Sequence, residues 1–121
     1  MLVQEAEPGK WVADRLLATD NVGAPHHIDL EVLSALRRLV ARGELPRSKA
    51  VEALQGLFEL GIVRYGLTTV LERIWQLRDR LTPYDAAYVV LAETLAVPLV
   101  TVDRRLARAG GHRAEIVAYA G

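Results

Sequence analysis

Three acidic residues stand at positions where a carboxylate could take part in chemistry. Glu31 lies within a predicted amphipathic helix, Asp85 at a predicted helix start, and Asp103 directly after a predicted buried strand. In open α/β sheets, ligands bind beyond the carboxyl ends of the strands, which is where Asp103 would lie. Carboxylates brought together repel one another unless a hard divalent cation such as Mg²⁺ or Mn²⁺ neutralises them. Such a cation orients phosphate oxygens and activates water, so the pattern points to hydrolysis of a phosphodiester.

Two of these acids also have a purely structural interpretation. The run from Thr82 to Asp85, with a proline between them, is typical of a helix start, where Asp85 would satisfy backbone N–H groups and the helix dipole. Asp103 could cap a short helix over residues 104–108. The sequence alone leaves both interpretations open.

The clearest amphipathic helix covers residues 28–42 and carries Glu31 at the border of its apolar face. At this position the carboxylate could instead form a surface ion pair with Arg38 or Arg42. Gly43 is expected to end the helix.

Helices and strands alternate along the first half of the chain. A helix is predicted to begin at Trp11, and residues 22–25 are a short strand candidate. A further helix would begin at Pro46 and end before Gly61. Its predicted buried stripe consists of Ala50, Val51, Leu54, Leu57 and Phe58.

The second half continues the alternation, with predicted strands at residues 62–65, 98–102 and 115–119. One helix precedes Thr82, and another runs from Thr82 through Leu95. This pattern predicts an α/β fold with a mostly parallel central sheet flanked by helices. The predicted core side of the helix before Thr82 consists of Val70, Leu71, Ile74, Trp75 and Leu77.

The composition narrows the possible functions of this chain. Its 121 residues contain 15 Lys and Arg, 15 Asp and Glu, and no cysteine. The charge balance gives no overall field that would attract nucleic acid, so any anion must be held by local groups. The lack of cysteine excludes zinc fingers, thiol nucleophiles and disulfide scaffolds. No signal peptide or membrane-length apolar run is found, and a soluble cytoplasmic protein without a membrane partner is expected.

Two segments in the second half of the chain resemble a known family. Residues 81–93 read Leu-Thr-Pro-Tyr-Asp-Ala-Ala-Tyr-Val-Val-Leu-Ala-Glu, and residues 98–106 read Pro-Leu-Val-Thr-Val-Asp-Arg-Arg-Leu. They resemble the carboxyl half of PIN-domain ribonucleases, and more narrowly the VapC-type toxins of bacterial toxin–antitoxin pairs. Residues 24–38 are similar to the second acidic motif of that family. The resemblance therefore covers most of the chain.

The resemblance implies a function and a set of site residues. Glu31, Asp85 and Asp103 would be acidic members of a Mg²⁺ (or Mn²⁺) site that cleaves RNA by activating water. Thr101 would lie beside the site, either orienting a carboxylate or filling a buried strand position. Contact with RNA phosphates would come from Arg104 and Arg105, although two exposed arginines on a short helix more often form only a solvated surface. A PIN-like three-layer fold, a cognate antitoxin partner, an RNA substrate and a homodimer are also implied.

The chain departs from the family pattern at its amino end. PIN domains begin with a central strand that ends in an aspartate, and nothing before Trp11 resembles this strand. We therefore interpret residues 1–121 as a single PIN-like domain that lacks its first strand and one acid. This chain is expected to be a weak nuclease, and a version extended by the missing strand an active one.

Two other functions are consistent with the residues. The chain could be a catalytically degenerate PIN-like protein that acts only by binding a partner. It could also be an unrelated doubly wound domain with Asp85 or Asp103 as a phosphate acceptor, but it lacks the earlier aspartates and downstream lysine of such domains.

Overall fold

The computed structural model describes residues 11–12, 14–16 and 21–119. The chain divides into two compact units, a first unit of residues 1–64 and a second unit of residues 65–121. Strands and helices alternate through the described residues, so the fold is α/β, as predicted. In chain order the elements are β1 (Gly23–Pro25), α1 (Ile28–Ala41), α2 (Arg47–Glu59), β2 (Val63–Tyr65), a 3₁₀ turn (Thr68–Val70), α3 (Leu71–Gln76), α4 (Pro83–Leu95), β3 (Leu99–Thr101), α5 (Arg104–Arg108) and β4 (Ile116–Ala118).

The first unit contains the helix that carries Glu31. Its helix α1 buries the side chains at positions 28, 32 and 36, which recur at helical spacing on one face. Gly43, with a φ of +71°, follows the helix and donates its N–H to the Val40 carbonyl. This left-handed conformation favours glycine, so the predicted end of the helix is confirmed.

Helix α2 buries less of its apolar surface than the sequence predicts. Leu57 is buried, but Val51 and Phe58 are 54% and 76% exposed. Val51 and Phe58 are seven residues apart and share one side of the helix, about 100° from the side that carries Leu57. The prediction that both are buried is wrong because the apolar arc is wider than the strip that this unit covers.

The second unit is built around α4. A cluster of buried side chains joins α3, the turn after it and α4, and hydrophobic residues of β3 and β4 pack against this cluster. Alanines at positions 86 and 87 let neighbouring elements approach α4 closely, and both are almost completely buried. The buried members of the cluster are Ile74, Leu77, Ala86, Ala87, Val89 and Val90.

Helix α3 also differs from its prediction. Ile74 and Leu77 are buried as expected, whereas Leu71 and Trp75 are 56% and 65% exposed. Leu71 and Trp75 are four residues apart and share a side of the helix that does not face the core. The Arg78 guanidinium lies over the Trp75 ring, 4.5 Å from its centroid.

The described strands form two separate two-stranded sheets, β1 with β2 and β3 with β4, where the sequence predicts one central sheet. Strands β3 and β4 run parallel, with Leu99 opposite Ile116 and Thr101 opposite Ala118. Helix α5 lies in the connection between them. The predicted lack of a first strand concerns residues 1–10, which lie outside the described residues. None of the described helices is long and apolar enough to cross a membrane.

Candidate active site

Asp103 lies where β3 ends and α5 begins. Its N–H donates to the Thr101 hydroxyl at 3.0 Å, and its Oδ1 atom accepts the N–H of Arg105 at 2.9 Å. Asp103 is therefore the N-cap of α5, which confirms the capping interpretation. The Thr101 side chain holds the backbone of the residue that presents the carboxylate. Short hydrogen bonds on both sides thus fix the position of Asp103 at the carboxyl end of β3.

The Arg105 guanidinium covers the Asp103 carboxylate. Its Nη2 atom lies 2.7 Å from Oδ2, and its Nε atom lies 3.0 Å from Oδ1. Hydrogen bonding from Arg105 holds the pKa of Asp103 below its ordinary value, and partial burial of the carboxylate opposes this effect. The Arg105 side chain is 83% exposed and that of Asp103 is 28% exposed. The pair thus joins a partly buried acid to a base that remains open to solvent.

Asp85 is the third residue of α4 and belongs to the same unit as Asp103. Its backbone N–H donates to the Thr82 hydroxyl at 3.2 Å, with Pro83 at the first helical position, so the predicted helix start is confirmed. The charge of Asp85 contributes to raising the pKa of Arg105, after the larger effects of Asp103. Asp85 and Asp103 therefore both act on the Arg105 guanidinium.

Glu31 lies in the first unit, on α1, and is exposed. Its Oε1 atom is 3.5 Å from Nε2 of His27, one helical turn earlier. Arg38, which the sequence suggested as a partner, is seven residues further along and about 10 Å away along the helix axis. Arg42 is further still, and the contact observed for Glu31 is with His27. His27 lies before the predicted helix, so the amphipathic pattern did not suggest it as a partner.

A second ion pair beside Glu31 was not foreseen. The Asp29 carboxylate accepts two hydrogen bonds from Arg64, both at 2.7 Å, one from Nε and one from Nη2. These bonds lower the pKa of Asp29. The partners are 35 positions apart in the sequence, so periodicity could not reveal the pair. Asp29 is thus an acid of α1 whose charge is already balanced within the first unit.

Arg104 and Arg105 follow Asp103 directly but have different contacts. The Nε atom of Arg104 donates to the Tyr119 carbonyl at 3.1 Å, which links α5 to the end of β4. Arg105 instead turns back to Asp103. The sequence analysis predicts the same role for both arginines. An arginine two residues after an N-cap aspartate, however, is well placed to pair with that aspartate.

The donor chemistry of Asp85 and Asp103 fits a hard divalent cation, which prefers carboxylate oxygens. The Arg105 guanidinium is the cation that balances Asp103 in this structure. Over residues 11–12, 14–16 and 21–119, no group of three or more His, Cys, Asp or Glu side chains is placed to hold a metal ion. The oxygen atoms of Asp85 and Asp103 are thus ligands of the kind that a divalent cation prefers. In this structure the Asp103 carboxylate is paired with Arg105.

Comparison with known proteins gives consistent matches over most of the chain. The family model described as PIN domain matches residues 2–112. Ribonuclease VapC9 of Mycobacterium tuberculosis is 43% identical over 98 residues, which are 81% of this chain and 77% of the relative. Ribonuclease VapC12 of the same organism is 41% identical over 109 residues, covering 90% and 84% of the two chains. Ribonuclease VapC3, also from that organism, is 45% identical over 93 residues, covering 77% and 68%.

Proposed function

The chain belongs to the PIN-domain family, and we propose from this premise that it is a metal-dependent endoribonuclease, the toxin of a type II toxin–antitoxin pair. Its relatives bear the name VapC ribonuclease, and ribonucleases of this family are generally dependent on a divalent metal. The observation that carries the proposal is the PIN-domain match over residues 2–112, together with the placement of the Asp103 carboxylate at the carboxyl end of β3 by its hydrogen bonds to Thr101 and Arg105. Asp103 and Asp85, which lies in the first turn of α4, offer carboxylate oxygens to a cation.

We assign the residues of the site as follows. Asp85 and Asp103 would hold the cation from the start of α4 and the end of β3. The family resemblance assigns Glu31 of α1 to the same acidic set, although no three such side chains of the described residues are placed together. Thr101 is a positioning residue, because its hydroxyl accepts the N–H of Asp103. When bound, Mg²⁺ or Mn²⁺ supplies a Lewis acid at the phosphate and a bound water of lowered pKa.

The two arginines of α5 provide the positive charge for RNA. Arg104 and Arg105 are both exposed and follow the proposed metal ligand directly. With 15 basic and 15 acidic residues in the chain, a local pair of this kind has to supply the attraction for phosphate. Guanidinium groups suit this role because their paired N–H groups match phosphate oxygens.

A protein antitoxin, an RNA substrate, a homodimer and a cytoplasmic location complete the proposal. The names of the relatives support the RNA substrate and the toxin role. The homodimer and the location rest on the family resemblance. We also propose that residues 1–121 form one PIN-like domain.

A catalytically degenerate binding protein is the second candidate. One observation favours it: the described residues contain no cluster of three metal ligands. Such a protein would bind its antitoxin but leave RNA intact.

The deciding experiment measures cleavage of a mixed RNA substrate by the purified chain with Mg²⁺, with Mn²⁺ and with EDTA. Asp85→Asn and Asp103→Asn are expected to abolish cleavage while circular dichroism stays unchanged, since asparagine also caps helices. Asp79→Asn, an exposed acid in the turn before α4, is the matched control and should retain activity. Cleavage that survives both site substitutions, or that EDTA does not stop, contradicts the proposal. Metal-independent binding of an antitoxin without RNA cleavage supports the second candidate.

A further inference from the structure

The Asp103 carboxylate is nearly saturated by a single residue. Its Oδ1 atom accepts the backbone N–H and the Nε of Arg105, and its Oδ2 atom accepts Nη2. A carboxylate offers about four lone-pair sites, and these bonds use at least three of them. Both carboxylate oxygens of Asp103 are therefore already hydrogen-bonded when a cation approaches. The positive charge of Arg105 also repels that cation.

The neighbouring arginine does not share this arrangement. Arg104 donates to the Tyr119 carbonyl and carries the same charge on the same short helix. The effect on Asp103 thus comes from the particular contacts of Arg105 and not from the basic character of α5. The two arginines form a natural matched pair for experiments.

We propose that Arg105 is an internal competitor for the divalent cation at Asp103, and that its guanidinium leaves the carboxylate when the cation binds. This inference rests on the proposed metal-dependent function. Release of Arg105 is inexpensive because its side chain is 83% exposed, and an exposed ion pair changes an equilibrium constant by at most about fivefold. The released guanidinium is then available to an RNA phosphate. Arg105 is in this way a positioning residue that sets the affinity of the site for metal.

The test is binding of Mn²⁺ alone to the full chain, without RNA, measured by loss of the free Mn²⁺ signal in electron paramagnetic resonance. Arg105→Gln is expected to bind Mn²⁺ about three- to fivefold more tightly than Arg104→Gln, since both variants lose one positive charge and only the first frees Asp103. Arg105→Lys keeps the charge but loses the two-pronged hydrogen bonding, and should lie between wild type and Arg105→Gln. Asp103→Asn should remove the difference between the two glutamine variants.

Equal affinities of Arg105→Gln and Arg104→Gln overturn the inference, as does weaker binding by Arg105→Gln or a lack of Mn²⁺ binding by both wild type and Arg105→Gln. Circular dichroism on each variant verifies that α5 and the rest of the fold are intact. The outcome is separate from that of the proposed function. Metal-dependent RNA cleavage together with equal Mn²⁺ affinities refutes only the role of Arg105, whereas tighter binding by Arg105→Gln without any RNA cleavage refutes only the nuclease.

Discussion

Arg73 of α3 and Glu93 of α4 form a two-pronged ion pair inside the second unit. The Nε and Nη2 atoms of Arg73 lie 3.0 Å and 2.9 Å from the two Glu93 oxygens, and the N–H of Arg113 donates to Glu93 Oε2 at 2.7 Å. The Glu93 side chain is only 5% exposed. Hydrogen bonding from Arg73 lowers the pKa of Glu93, against the opposing effect of burial. The pair thus joins α3, the segment before β4 and α4, the helix that carries Asp85.

Glu93→Gln should destabilise the protein by about 2–3 kcal/mol at pH 7, because it leaves a partly buried guanidinium without its counter-charge. The measurement is urea unfolding followed by circular dichroism. Glu72→Gln is the matched control, since Glu72 adjoins Arg73 on the same helix but is exposed. It should change the free energy of unfolding by less than about 0.5 kcal/mol. Equal effects of the two substitutions would show that the Arg73–Glu93 ion pair makes no specific contribution to the free energy of unfolding.

The penalty of Glu93→Gln should also depend on pH. Because the pKa of Glu93 is lowered in the folded state, its charge contributes stability above the ordinary pKa of about 4.5, and this contribution disappears as pH falls through the lowered value. The stabilities of wild type and Glu93→Gln should therefore approach each other as pH falls below the ordinary pKa of Glu93 and separate toward neutrality. A difference in stability that grows as the solution is acidified would contradict this account.

The elements of the fold were predictable to a large extent, and the long-range pairs were not. The Thr82-Pro83-Tyr84-Asp85 run predicts the start of α4, because a cap, a fixed proline φ and a first-turn acid are local signals. Trp75 and Phe58 were predicted buried and are exposed, since periodicity shows which residues share a face but not how wide a strip the neighbours cover. The two-pronged pairing of Glu93 with Arg73 depends on tertiary packing across 20 residues, which no local pattern encodes.

In the candidate site, too, some features were predictable from the sequence and others were not. Asp103 was expected after a strand and at a helix start, and both are found because each is a property of adjacent residues. The contact of Arg105 with Asp103 was not predicted, although it too is local, because the sequence does not show which way an exposed arginine side chain turns. Glu31 pairs with His27, one turn earlier, whereas the sequence pattern suggested arginines seven and eleven residues further along the helix.

Ala96→Gly is expected to stabilise the protein. Ala96 ends α4 with a φ of +54°, a left-handed conformation that costs a residue with a Cβ atom about 1 kcal/mol relative to glycine. The substitution should raise the free energy of unfolding by about 0.5–1 kcal/mol in urea unfolding. Ala107→Gly, at an exposed position within α5, serves as control and should lower it by up to about 1 kcal/mol. Loss of stability in Ala96→Gly would mean that the methyl group makes a contact worth more than the strain.

Thr101→Val should weaken the proposed active site more than Thr101→Ser. Valine keeps the shape of threonine but removes the hydroxyl that accepts the N–H of Asp103 at 3.0 Å. The expected loss is about 1 kcal/mol of folding stability, together with a fall in RNA cleavage. Serine keeps the acceptor and should retain most of the activity. If both variants cleave RNA as wild type does, Thr101 only fills its strand position.

Gly111→Ala should cost more stability than Gly43→Ala, although both glycines have positive φ values of +85° and +71°. A Cβ atom at position 111 would lie 2.9 Å from Nε and 3.0 Å from Cδ of Arg80, whereas one at position 43 meets nothing within 4 Å. The common conformational cost is about 1 kcal/mol, and displacement of the flexible Arg80 side chain adds roughly 0.5–1 kcal/mol at position 111. Urea unfolding in an Arg80→Ala background isolates the second part, because that background removes the clash and leaves the backbone strain unchanged. The difference between the two glycine substitutions should then vanish, and a difference that persists would mean that the segment before β4 requires glycine for a reason other than Arg80.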